Sequence, residues 1–316
     1  MLTIMAVVLA GGLLYLALRQ ISWAELWQTL RNVQVVYLGL GFLANTLALW
    51  ARSRRWGVLV SARKRTTWLN LFWATAAGYL GNTFLPARAG ELLRSVMLGK
   101  EADINASFIL ATALTERLMD VIALVTIGAV VIPTISLALP AWLYSAIQWM
   151  AVAGFVALVI FLAAPRLEAL LLKILGWLHL REKWRARISD LVSQFLLGAR
   201  SLIHPGRAAS FVLLTAVIWG IDAGGAVLFA HGLGLSLRLD QALLLLVALG
   251  LSSALPSTPG YVGIYQFVAV TVLPVFGISP SQALAYILAS QAVNVLTISL
   301  WGMVGMGQMG IKLKNL

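Results

Sequence analysis

Gly81-Asn82-Thr83-Phe84-Leu85-Pro86-Ala87-Arg88-Ala89-Gly90-Glu91 interrupts an apolar run that begins near residue 68. Proline and glycine at this spacing end one helix and permit another to start. Two readings compete: an ordinary loop at a membrane surface, or a break at membrane depth where the chain turns and leaves by the face it entered. The flanking sequence, its hydrophobicity and its charges bear on the choice.

Of the 316 residues, 61% are hydrophobic and 11% are charged. A soluble domain carries roughly 25% charged residues, so this chain needs lipid as its solvent. Apolar runs of about 18 residues or more recur along its length, each long enough to cross a hydrocarbon core of ~30 Å as a helix. They are continuously apolar and do not alternate, which favours helices over a barrel. The first run, 1–18, has no basic leader and no small-residue cleavage site, so it reads as a retained membrane helix. There is no cysteine, and His179, His204 and His231 are scattered. Thiol chemistry, disulfides and a metal site are therefore not expected, nor is any cofactor. The formal net charge of +12 is spread over short loops, which fits anionic lipid head groups and not nucleic acid.

The basic residues fall in three groups: Arg52, Arg54, Arg55, Arg63, Lys64 and Arg65; then Arg166 to Arg207; then Lys312 and Lys314. The positive-inside rule makes all three cytoplasmic. Three full crossings between the first two groups, at about 68–86, 104–132 and 141–164, would put the second group outside. The conflict disappears if 68–99 enters and returns on the cytoplasmic side. A matching break, Leu255-Pro256-Ser257-Thr258-Pro259-Gly260-Tyr261-Val262-Gly263, divides the run 240–276, and a hairpin re-entering there from outside restores the parity of the second half. The expected architecture is all-α: about six full transmembrane helices and two oppositely oriented re-entrant hairpins, with both termini inside. The whole of 1–316 forms one transmembrane domain. Repeat 1 covers about 33–132, a cytoplasmic amphipathic connector about 165–207, and repeat 2 about 208–309. Broken helices facing each other in inverted repeats are a transporter pattern.

Charges within apolar runs cost about 2.5–3.5 kcal/mol each on insertion scales, so they are functional candidates. If a half-helix starts near Gly90, Glu91 sits in its favourable first turn, and Arg94 at i+3 is within pairing reach. Arg88, just before free backbone N–H groups, suits a phosphate, with Asn82 and Thr83 as neutral donors. The competing reading is an Arg–Glu–Arg network that only pins the hairpin. Glu116, Arg117 and Asp120 share the 104–132 helix, where Arg117 and Asp120 at i, i+3 are expected to pair. Asp222 on the run 208–233 is an acid in search of Arg88, Arg94 or Arg117. The second break offers no charge, but Gly260 and Gly263 allow close backbone approach and Gln266 supplies an amide. Gln291 and Asn294 at i, i+3 are placed to face a polar path.

The order Asn82-x-x-Leu85-Pro86-Ala87-Arg88-x-Gly90-Glu91-x-x-Arg94, Glu116-Arg117-x-x-Asp120, Pro259-Gly260-x-x-Gly263 resembles the lysylphosphatidylglycerol synthase transmembrane region family, the flippase-like YbhN/AglD-type proteins. Arg54-Arg55-Trp56 resembles the basic-aromatic end of that family's early helix. The resemblance covers essentially the whole chain. It departs from the family at two positions: Tyr261 replaces a glycine, and Gln266 stands where glutamate is frequent, which weakens any mechanism that needs a titrating carboxylate there.

What the resemblance implies is a lipid-handling protein of a bacterial or archaeal cytoplasmic (inner) membrane. The synthase activity in the family's name belongs to a separate soluble domain and is not expected of these residues. The leading expectation is a flippase or transporter for an anionic phospholipid or a polyprenyl-phosphate-linked sugar. The alternatives are a membrane-embedded lipid-modifying enzyme or glycosyltransferase, for which no catalytic motif is found, and a non-transporting envelope assembly factor. The expected partners are membrane lipids with anionic head groups, and a homo-oligomer is compatible with the sequence.

Overall fold

The computed structural model of the chain describes residues 2–85, 89–135, 182–253 and 259–310, with isolated positions between 149 and 177. The described residues are all-helical, with no strand among them. In chain order they form α1 (Leu2–Leu18), α2 (Trp23–Arg31), α3 (Val35–Val60), α4 (Trp68–Phe84), α5 (Gly90–Ala102) and α6 (Ala106–Val131), then α7 (Glu182–Arg200), α8 (Pro205–Gly232), α9 (Leu239–Ser252), α10 (Ile264–Val272) and α11 (Pro280–Gln308). Four segments are long and apolar enough to cross a membrane: Val35–Val60, Ala106–Thr134, Pro205–Gly232 and Pro280–Gln308. Large apolar side chains stand on their outer faces, among them Leu43, Leu47, Val121, Val130, Val212, Leu213 and Leu296. Water would not tolerate so much exposed hydrocarbon; lipid does.

Small residues set the helix contacts. α3 and α8 run antiparallel along most of their length, with Gly225 facing Ala44 and Gly232 facing Tyr37. α4 and α5 fold back on each other: Gly78 meets Arg94, and Gly81 meets Gly90. A Cβ on Gly90 would overlap the Gly78 carbonyl and the backbone of Asn82, so only glycine allows this spacing. α4 also lies along α11, where Gly302 approaches Ala76 and Leu80 and Gly305 approaches Trp73. The matching contact in the other direction joins α6 to α9, through Gly250 against Leu124 and Gly128 against Val247. Each half thus packs the first arm of its paired helices on the last helix of the other half.

Two sequence expectations change here. The first basic group is expected in short loops, but α3 continues to Val60, so Arg52, Arg54 and Arg55 are helical and not part of a loop. Acids on neighbouring helices neutralise two of them. Between α1 and α3 lies the short helix α2, capped by Ser22 and docked on α11, with the Ser22 N–H donating to Ser281 Oγ at 2.9 Å and Ser279 Oγ donating to Glu25 at 2.6 Å. Gln291 and Asn294 do not act together, because Gln291 bonds inward while Asn294 is exposed. Pro86, Ala87, Arg88, Leu255, Pro256, Ser257, Thr258, Lys312 and Lys314 lie outside the described residues. The same holds for most of the run 141–164 and of the connector from 165 to 181.

Candidate functional site

α5 begins at Gly90, which places Glu91 in its first turn. Arg94 follows one turn later and meets Glu91 at 2.6 Å, the i, i+3 pair that the spacing allows. From α6, Glu116 reaches Arg94 at 3.0 Å and Arg117 reaches Glu91 at 2.6 Å. Asn82 on α4 donates to the same Glu91 oxygen at 3.2 Å. Arg55 enters from α3 and pairs with Glu116 at 3.1 Å and Asp120 at 2.7 Å. Among the described residues, three arginines and three acids from α3, α5 and α6 thus form one network whose formal charges cancel.

Aromatic rings and hydroxyls complete the setting. The Arg94 guanidinium lies 4.6 Å from the Trp56 ring, whose Nε1–H donates to Thr112 at 3.0 Å. Arg55 also donates to Thr215 on α8 and stacks over Phe211. A cation over such a ring gains about 2 kcal/mol when desolvated.

The network has a sealed interior and an open edge. The side chains of Arg55, Arg94 and Glu116 are 1%, 2% and 5% exposed, whereas Arg117 and Asp120 are 31% and 20% exposed. Tyr79 on α4 stands beside that edge, its ring 5.7 Å from Arg117. This exposed edge is where a group from outside could reach the network.

One expected pairing is present but loose, and one is corrected. Arg117 meets Asp120 at 4.0 Å, the i, i+3 pair, and holds Glu91 more closely at 2.6 Å, while Arg55 takes the other Asp120 oxygen. Asp222 pairs with Arg52, at 2.6 Å and 3.4 Å through two parallel contacts, and not with Arg94 or Arg117; Arg88 lies outside the described residues. Arg52 and Arg55 escaped the sequence reading because they follow an apolar run, where basic residues ordinarily mark a loop. Only the similarity of Arg54-Arg55-Trp56 to a family helix end pointed at Arg55.

Gly260, Gly263 and Gln266 are not in the charged network. They build the second break, where Gly260, Tyr261 and Gly263 all have positive φ, at 69°, 58° and 91°. Gln266 accepts from the Gly263 N–H at 2.6 Å and donates to Gln291, which donates to the Gly260 carbonyl at 3.1 Å. This chain of amides holds a turn that a non-glycine residue such as Tyr261 adopts at a cost. Tyr261 stacks on Tyr265 with ring centroids 4.7 Å apart. α4 also packs against the Pro259–Tyr261 turn, so the first arm of the charged pair touches the second break. Among the described residues no group of acids or histidines is arranged to hold a metal ion.

The family model described as Lysylphosphatidylglycerol synthase TM region matches residues 3–302. The chain belongs to that family. Membership in the lysylphosphatidylglycerol synthase TM region family, with the four long apolar helices, makes it an integral membrane protein and associates it with lipids. Comparison with curated proteins found no match, and comparison with solved structures found none.

Proposed function

We propose that this protein moves a phosphate-bearing lipid, an anionic phospholipid or a polyprenyl-phosphate-linked sugar, between the leaflets of a bacterial or archaeal cytoplasmic membrane. The observation that carries the reading is the open edge at Arg117 and Asp120, the accessible rim of an otherwise sealed ion network carried partly on a helix long and apolar enough to cross a membrane. A head-group phosphate would take Arg117 from Glu91, since guanidinium binds phosphate and carboxylate in the same forked geometry. Asn82 Oδ1 is buried without a protein partner, and a hydrated head group offers the donor it lacks. Each acid of the network is held by an arginine, which favours passage over a general-acid or general-base role.

The packing supports an inverted repeat. α3, α4, α5 and α6 meet one another as α8, α9, α10 and α11 do, and the halves exchange equivalent contacts through α4 with α11 and α6 with α9. The likeness extends to the preceding helices, because α2 lies on α11 as α7 lies on α6. With both termini inside, α4–α5 would re-enter from the cytoplasm and α9–α10 from outside. The breaks then meet near the midplane, where irregular backbone is tolerated only against protein or water.

The test is leaflet exchange in proteoliposomes. Labelled phosphatidylglycerol and a labelled polyprenyl phosphate are followed separately, with wild-type protein and with Arg117→Gln. Exchange above that of empty vesicles, reduced at least about tenfold in the variant, supports the proposal. Exchange no faster than in empty vesicles for either lipid refutes it.

A further inference from the structure

Arg52 and Arg55 lie one turn apart on α3, yet their surroundings differ. Arg55 is sealed, with its side chain 1% exposed, while Arg52 and its partner Asp222 are 20% and 16% exposed. Arg52 presents two guanidinium nitrogens to the two Asp222 oxygens, a fork that fits phosphate oxygens equally well. Arg117 on α6 is likewise part-open, its side chain 31% exposed and its guanidinium 5.7 Å from the Tyr79 ring. α3 and α6 thus each carry one part-open arginine, and the Arg55–Asp120 pair joins the two helices at 2.7 Å. The Arg52–Asp222 pair also ties the first half of the chain to the second, because Asp222 belongs to α8.

A part-exposed ion pair is the exchangeable kind. Its attraction is largely offset by lost hydration and side-chain freedom, so an incoming anion displaces the carboxylate at little net cost. The sealed pairs of Arg55 and Arg94 cannot be exchanged so easily, because removing a partner strands a buried charge. We propose that Arg52 is a second binding site for the head-group phosphate, with Asp222 as the internal anion that occupies it until the lipid arrives. This rests on the reading of the protein as a lipid mover and adds a station to it: the phosphate passes between Arg117 and Arg52. Displacing Asp222 would also release the contact between the halves, which couples occupancy to their relative movement.

The experiment is titration calorimetry of the purified full chain in detergent with dihexanoyl-phosphatidylglycerol, and in parallel with inorganic phosphate. Asp222→Asn removes the competitor, so lipid affinity is expected to rise about three- to fivefold, the worth of a part-exposed pair. Arg52→Gln is expected to weaken binding by a similar factor, and Asp222→Glu to leave it within about twofold of wild type. A gain for the lipid without one for inorganic phosphate identifies a lipid head group, and equal gains identify a general phosphate site; both support Arg52 as the station. Unchanged or weaker lipid binding by folded Asp222→Asn overturns the proposal. If that variant does not fold, Arg52→Gln/Asp222→Asn, neutral on both sides, takes its place, and wild-type affinity in it is the overturning result. Leaflet exchange by the wild type is measured on the same preparations. Exchange with affinity indifferent to Arg52 and Asp222 sinks the station alone, while responsive binding without exchange sinks the transport reading alone.

Discussion

Glu116→Gln tests the sealed interior of the charged network. Glu116 is 4% exposed and lies between Arg55 at 3.1 Å and Arg94 at 3.0 Å. At about 4 Å and an effective dielectric near 20, each charge pair is worth on the order of 4 kcal/mol before desolvation is counted. Hydration lost by the three groups takes back much of this, and breaking a buried pair by removing one partner costs about 3–5 kcal/mol. Arg55 keeps Asp120 and Arg94 keeps Glu91, which places the expected loss near 3 kcal/mol, the lower end of that range. It is a large share of the roughly 5–15 kcal/mol available to a folded domain. Unfolding in detergent should show the loss, and Asp120→Asn at the open edge should cost less than half as much. A loss under about 1 kcal/mol for Glu116→Gln, the range of exposed pairs, would mean that water reaches the interior and that the sealed-and-open distinction is wrong.

Three further outcomes follow from the packing. Gly90→Ala forces a methyl into the Gly78 carbonyl; it should cost about 1–3 kcal/mol as an overpacked contact and speed thiol labelling of a Leu93→Cys probe in this cysteine-free chain, and unchanged melting and labelling would contradict the close approach. Gln266→Glu replaces the donor to Gln291 with an acceptor, and protonating the introduced carboxyl restores a donor. The native state then binds a proton that the unfolded state releases, so stability should fall as pH rises through the carboxylate range; melting curves with the same pH dependence as wild type would rule this out. Trp56→Phe removes the hydrogen bond to Thr112 and should cost about 1 kcal/mol in the same unfolding assay, with no measurable cost if that bond is not formed.

Local signals were legible in the sequence, and distant partnerships were not. Pro86 and Gly90 marked the break, the start of α5 at Gly90 followed from it, and Glu91 with Arg94 read as a pair because helix geometry fixes i, i+3 neighbours. Arg55 finds Glu116 at a separation of 61 residues and Arg52 finds Asp222 at 170, distances over which spacing carries no information. Both arginines also sit where an apolar run stops, although α3 itself continues to Val60. α2 carries a local signal of its own: Ser22-x-x-Glu25 is a capping pattern, and the Glu25 N–H points to Ser22 Oγ, at 3.5 Å. The run is amphipathic and short, which hydropathy alone reads as a loop.

The two breaks occupy corresponding places in the packing but are held by different chemistry, and that difference assigns them different work. Around α5 the contacts are between full charges, several of them sealed, so rearrangement there is costly unless another anion replaces the one displaced. Around Gly260 and Gly263 the contacts are neutral amides, each worth about 1 kcal/mol net, and the backbone already stores cost at Tyr261. Movement between the halves therefore meets least resistance at the α9–α10 break, while the charged side responds to what enters it. A head group that releases Arg117 from Glu91 or Arg52 from Asp222 changes the charged side at small net cost. α4 touches both the charged network and the Pro259–Tyr261 turn, so a shift of that helix is felt at both. On the proposed function, binding at the first break and bending at the second would be linked through this one helix, which is the coupling a carrier needs if its site is to open to each leaflet in turn.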